Sequence, residues 1–162
     1  MDGSGHPTPR ERIAAECANR GRAALIAGCV ALLGGRPDDV DDHLITVLGG
    51  SAAEHVLDGG EGGRSGYWPR VWAARGLLHA LGERAPVVDR PAESTEADAV
   101  TAAIIGALDD PSWRVREMAA KVVAAHRIGR ALDAVAALRD DPNPRVREAA
   151  ERAVVLLTVS QA

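Results

Sequence analysis

One twelve-residue stretch occurs twice, and no other feature limits the fold of this chain so tightly. Asp109-Asp110-Pro111-Ser112-Trp113-Arg114-Val115-Arg116-Glu117-Met118-Ala119-Ala120 aligns without a gap on Asp140-Asp141-Pro142-Asn143-Pro144-Arg145-Val146-Arg147-Glu148-Ala149-Ala150-Glu151, an offset of 31 residues. Asp-Asp-Pro and Arg-Val-Arg-Glu stand in both copies. A period of this length belongs to architectures in which each unit buries its apolar face only by stacking on a neighbour.

The spacing of the apolar residues says what the units are. Val115, Met118, Ala119, Val122 and Val123 fall on one side of a helix; Val146, Ala149, Ala150, Ala153, Val154 and Leu157 repeat that side in the next copy. A shorter apolar helix precedes each, with Val100, Ile104, Ile105 and Leu108 in one and Leu132, Val135 and Leu138 in the other. The unit is a helical hairpin with an Asp-Pro turn. The chain has no Phe and few aromatics, so its core must be Ala, Val, Leu and Ile. Small side chains let helix axes approach closely, whereas sheets lean on β-branched and aromatic residues.

Helical spacing begins at Arg10, with Ile13, Ala14 and Cys17 on one face, and breaks at Gly21. It resumes from Ala24 to Leu33 and stops at Gly34-Gly35, a common end signal. Asp38, Asp39, Asp41 and Asp42 read as the cap and acidic first turn of a helix carrying Leu44, Ile45 and Leu48. Asp58 to Gly66 holds five glycines in nine residues and reads as a loop. Tyr67 to Leu81 is helical, with Pro69 in its first turn. Gly82 to Glu93 reads as a loop with Pro86 and Pro91, and Ser94 or Thr95 caps a helix to Leu108.

The Asp-Pro turns, the Arg-Val-Arg-Glu segments and the alanines after them resemble the HEAT repeat family, in its short bacterial HEAT-like form. The resemblance covers Glu96 to Leu157 and implies antiparallel helix pairs stacked into a right-handed superhelix. A third copy is expected at Tyr67 to Leu81, with Pro69-Arg70-Val71 on Pro144-Arg145-Val146 and Ala74 on Ala149, although Asp-Asp-Pro is missing there. The expected fold is all-α: a short α-solenoid of stacked antiparallel helical hairpins, about 7–8 helices. Residues 1–9 are expected to be a disordered lead-in, 10–60 helical repeats or a cap, and 61–158 HEAT-like repeats packed with 10–60 in a single domain.

Chemical motifs are few. Asp38 to Asp42 lacks the glycine and the terminal Glu of a calcium loop. The glycine-rich segment follows no apolar strand and lacks the Gly-Lys-Ser/Thr ending of a phosphate loop. His43, His55, His79 and His126 have no second histidine at metal-binding spacing, so no metal or cofactor is expected. Glu54 and His55 are adjacent, yet neighbouring helical residues point about 100° apart and make no dyad by themselves. Ser51 follows two glycines but lacks the strand-turn-helix context of a nucleophile elbow. Cys17 and Cys29 read as buried reduced thiols. The polar start and the short apolar stretch from Ala23 to Leu33 predict neither a signal core nor a membrane span, so a cytoplasmic protein is expected.

Two sets of residues remain. Asp110 and Asp141 lie where they can cap the second helix of each pair, and Arg116 and Arg147 can reach a neighbouring turn's Asp or free carbonyls as a structural ladder. Tyr67, Trp68, Trp72 and Trp113 are the only aromatics, beside Arg70 and Arg114, with Arg145 one repeat on. Such rings can fill space between repeats; with Arg they also have the composition of a binding hot spot.

The reading that follows is a non-catalytic protein-interaction or adaptor module with another protein as partner. The resemblance also admits two alternatives. Some HEAT-like DNA glycosylases grip DNA with a basic face, which Arg114, Arg116, Arg145 and Arg147 would supply, but a net charge of −4 disfavours nucleic acid. HEAT-like bilin lyase subunits make a small-ligand or enzymatic pocket near Tyr67, Trp68 and His55 conceivable.

Overall fold

A computed structural model of the chain describes residues 5–82 and 95–159. Among these are nine α-helices and no strand. In order they are α1 (Pro9–Arg20), α2 (Arg22–Leu33), α3 (Asp42–Gly49), α4 (Ala53–Leu57), α5 (Tyr67–Ala80), α6 (Thr95–Ala107), α7 (Trp113–His126), α8 (Leu132–Ala137) and α9 (Pro144–Val159). Beyond Gly82, the expected loop at Gly82 to Glu93 and the cap at Ser94 lie outside the described residues.

The helix starts follow from local chemistry. Glu11 N–H donates to Thr8 Oγ1 at 3.3 Å while Glu11 Oε2 accepts from Thr8 N–H at 2.7 Å. This capping box, joined to Pro9 at the first helical position, satisfies donors that a helix start leaves open. Helix α1 therefore begins inside the segment expected to be a disordered lead-in. Asp41 caps α3, accepting from Leu44 N–H at 2.8 Å.

The fold is a short α-solenoid. Helix α6 pairs with α7 and α8 with α9, and the second helices stand side by side in the order α5, α7, α9. Helix α2 lies against both α5 and α6, and α1 and α3 also pack on α5. Helix α5 is thus covered on all sides, and each of its residues is buried or half-buried. One hydrophobic cluster runs from Ile13 to Leu157.

Close approach in the first half depends on glycine. A Cβ on Gly76 of α5 would lie 2.8 Å from both Cys29 Sγ and Leu48 Cδ2, and one on Gly49 would lie 2.5 Å from the Trp72 ring. These distances are shorter than carbon side chains tolerate, so α2 and α3 meet α5 at this depth only where no side chain intervenes.

Aligned on their first residues, α5, α7 and α9 place Arg70, Arg116 and Arg147 at the fourth position. Ala73, Ala119 and Ala150 then coincide, each 0% exposed. The expected alignment of Pro69 on Pro144 is two residues out. Proline is tolerated throughout the first helical turn, because those N–H groups have no intrahelical acceptor. Pro69 takes the third position of its helix and Pro144 the first, so the prolines do not mark a common register.

A candidate partner-binding face

The second helices are held in step by arginine–aspartate pairs. Arg70 Nε donates to Asp110 Oδ2 at 2.7 Å and Nη2 to Oδ1 at 3.3 Å. Arg116 repeats this one layer on, with Nε to Asp141 Oδ2 at 2.8 Å and Nη2 to Oδ1 at 3.2 Å. Each arginine also turns Nη1 back on its own turn: Arg70 to the carbonyls of Ser65 and Gly66, Arg116 to those of Asp110 and Pro111, Arg147 to those of Asp141 and Pro142. A two-pronged guanidinium–carboxylate pair fixes distance and angle together.

The two aspartates do more than accept from arginine. Asp110 Oδ1 accepts from Ser112 N–H, and Asp141 Oδ1 from Asn143 N–H, each at 2.8 Å. These contacts reach two residues on and shape the turn before the helix, where helix capping was expected. Burial raises the Asp141 carboxyl pKa, but the Arg116 guanidinium, the Asn143 N–H and the nearby Arg147 charge outweigh it and hold the group below the usual aspartate range.

Because the ladder sets the register, the residues two and three places before each ladder arginine come together at one rim. These are Trp68, Arg114 and Arg145, with Tyr67, Trp113 and Pro144 beside them. The Arg114 guanidinium carbon sits 5.4 Å from the Tyr67 ring centre, 5.7 Å from Trp68 and 4.5 Å from Trp113. The Arg145 guanidinium carbon stands 5.9 Å from the Trp113 ring centre. Cations at these distances are attracted to the ring face. Tyr67 and Trp68 lie 5.1 Å apart, and Trp68 stacks on Trp72 at 6.1 Å.

The glycine-rich segment closes one side of this patch. Gly60–Ser65 folds as a bent 3-10 segment with left-handed residues at Glu61 (φ 52°) and Gly62 (φ 88°). Arg64 pins it to the start of α3, donating to Asp42, to the Val40 carbonyl, and to the Pro37 carbonyl at 2.9 Å. On the other side Glu61 Oε2 accepts from Tyr67 O–H at 2.9 Å and from the Trp68 indole N–H. The Trp68 and Tyr67 donors hold the Glu61 carboxyl below its ordinary range, and the same contact raises the Tyr67 phenol.

Of the seven residues expected in a binding patch, five meet here: Tyr67, Trp68, Trp113, Arg114 and Arg145. The other two face elsewhere. Trp72 is 4% exposed and belongs to the core, and Arg70 is taken up by Asp110. His55 lies against the Gly60 backbone, near enough for its charge to act on Glu61. Among the described residues no three His, Cys, Asp or Glu side chains gather into a metal-binding group, and no helix is long and apolar enough to cross a membrane.

Glu61 was not legible as part of this site, since it sits in a run whose only signal is glycine. Arg12 and Arg75 were also missed. Arg12 donates to the carbonyls of Val47 (2.8 Å) and Leu48 (3.4 Å), and Arg75 to that of Leu48 (2.9 Å), so both satisfy the open end of α3.

A family model of HEAT repeats matches residues 70–155, just over half of the chain. No curated protein and no solved structure matches it.

Proposed function

Because this chain belongs to the HEAT repeat family, we propose that it is a non-catalytic protein-interaction module that takes its partner at the rim where α5, α7 and α9 begin. One observation carries the reading. Arg114 lies between the Tyr67–Trp68 pair and Trp113, bridging two repeats, and neither it nor Arg145 makes an ion pair among the described residues. Two ladder arginines, Arg70 on α5 and Arg116 two places beyond Arg114 on α7, already hold carboxylates. Arginines braced on aromatic rings, with their donors open, are what interface hot spots use.

The stacked fold supplies a broad surface without catalytic groups. The likeness of its Asp-Pro and Arg-Val-Arg-Glu segments to short bacterial HEAT-like proteins supports a cytoplasmic adaptor of that kind. Affinity capture from the native host with the full chain tests the proposal. Trp113→Ala or Arg114→Ala should cut recovery of the partner at least tenfold, while Lys121→Ala, on the same helix further from the rim, leaves it unchanged. Equal recovery with all three variants would remove the rim as the binding face. The nucleic-acid alternative predicts a gel shift at micromolar protein and low salt; the net charge of −4 speaks against it.

A further inference from the structure

We infer that the partner presents an acidic segment, and that one of its carboxylates takes the place now held by Glu61 against Tyr67, Trp68 and Arg114 while a second reaches Arg145. The inference rests on the protein-binding reading and names the chemistry of the ligand.

The site at Glu61 is already a carboxylate site. A phenol O–H and an indole N–H converge on one carboxylate oxygen, and Arg114 lies over both donor rings. The group that fills it is held loosely in other respects. Glu61 is exposed and sits between glycines, and its backbone has φ 52°, a left-handed conformation that residues other than glycine enter at a cost. A carboxylate from outside could take the same donors and let this backbone relax.

The charges around it point the same way. Although the chain is acidic overall, Asp110 and Asp141, just before α7 and α9, are spent on Arg70 and Arg116. Arg145 is exposed, with only the Trp113 ring beneath its guanidinium. Apart from the Glu61 carboxylate that the partner would replace, the rim thus presents two guanidiniums without ion pairs across two repeats, and an extended acidic segment crossing from Trp68 to Arg145 matches them in sign and direction. A neutral segment would offer both guanidiniums only uncharged acceptors, and a basic one would be repelled by them.

Tryptophan emission reports on the site directly, since two of the three tryptophans line it. The full chain is titrated at low salt with a blocked hexapeptide of alternating Asp and Glu, and with its Asn/Gln counterpart. The acidic peptide should change the emission saturably and the neutral one should not, and added salt should weaken the binding. Glu61→Gly, which removes the internal carboxylate and suits the left-handed backbone, should tighten the acidic peptide about fivefold, and Arg145→Ala should weaken it by a similar factor. Thermal melts of both variants check that each is folded; Arg145 is exposed, so at least that variant reads cleanly. Equal response to both peptides, or an affinity unmoved by Glu61→Gly, would overturn the inference. If neither peptide binds while Trp113→Ala still abolishes capture of the natural partner, the acidic chemistry is wrong and the protein-binding face stands. If capture also survives Trp113→Ala, the face itself is wrong.

Discussion

Arg116 makes four hydrogen bonds with one guanidinium, two to Asp141 and two to carbonyls of its own turn. Lysine has a single ammonium and cannot span these acceptors. Arg116→Lys should therefore lower stability by about 2 kcal/mol in urea unfolding. Arg147, whose guanidinium reaches only the carbonyls of Asp141 and Pro142, should lose less than ~1 kcal/mol on the same change. Equal losses would mean that the Asp141 contact contributes nothing. The pairing also sets a pH response. Asp141 titrates lower in the folded chain than in the unfolded one, so its contribution is complete above the unfolded value, roughly pH 4, and disappears as pH falls through the lower folded value. Acid unfolding followed in wild type and Asp141→Asn should show a shallower decline for the variant below that pH; parallel curves would contradict the assignment. Much of this scale was legible, because a charged residue recurring at fixed spacing on opposite sides of a turn has few other uses. The aspartates' turn-shaping contacts were not, because capping and turn formation use the same residue one or two positions apart.

Among the helices, the repeated pair α6–α7 and α8–α9 could be read from the sequence, since their apolar stripes recur with the turn. The environment of α5 could not. Its apolar residues lie all round the helix, because α1, α2 and α3 close on faces that a terminal repeat would leave to solvent. Those contacts join residues far apart in the chain, and no local pattern marks them. Gly28 inside α2 and Gly49 at the end of α3 are likewise packing contacts, against Leu44 and Trp72. The glycine contacts make a test with two signs. Gly76→Ala drives a methyl into Cys29 and Leu48 and should cost about 1–3 kcal/mol. Gly106→Ala near the end of α6, where a Cβ meets nothing within 4 Å, should stabilise by about 0.5 kcal/mol through helix propensity. Thermal denaturation of both variants reads the difference, and a harmless Gly76→Ala would show that α2 and α3 do not approach α5 so closely.

For the whole molecule, the residues that match the repeat family are not the whole of the structure. Helix α2 lies along α5 and α6, so the N-terminal helices cover a face that the matched segment would otherwise expose. A chain beginning at Asp58 should lose its sharp unfolding transition, because Leu77 and Trp72 would meet water; calorimetry showing an unchanged cooperative peak would contradict this. The same stacking gives the rim its composition, since only a common register brings Trp68, Arg114, Trp113 and Arg145 into line. The indole N–H signals of the three tryptophans, assigned with single Trp→Phe variants, test that account most directly when the captured partner is added to the full chain. The Trp68 and Trp113 signals should move on binding while that of the buried Trp72 shifts far less; a bound partner that leaves both rim signals in place would contradict it.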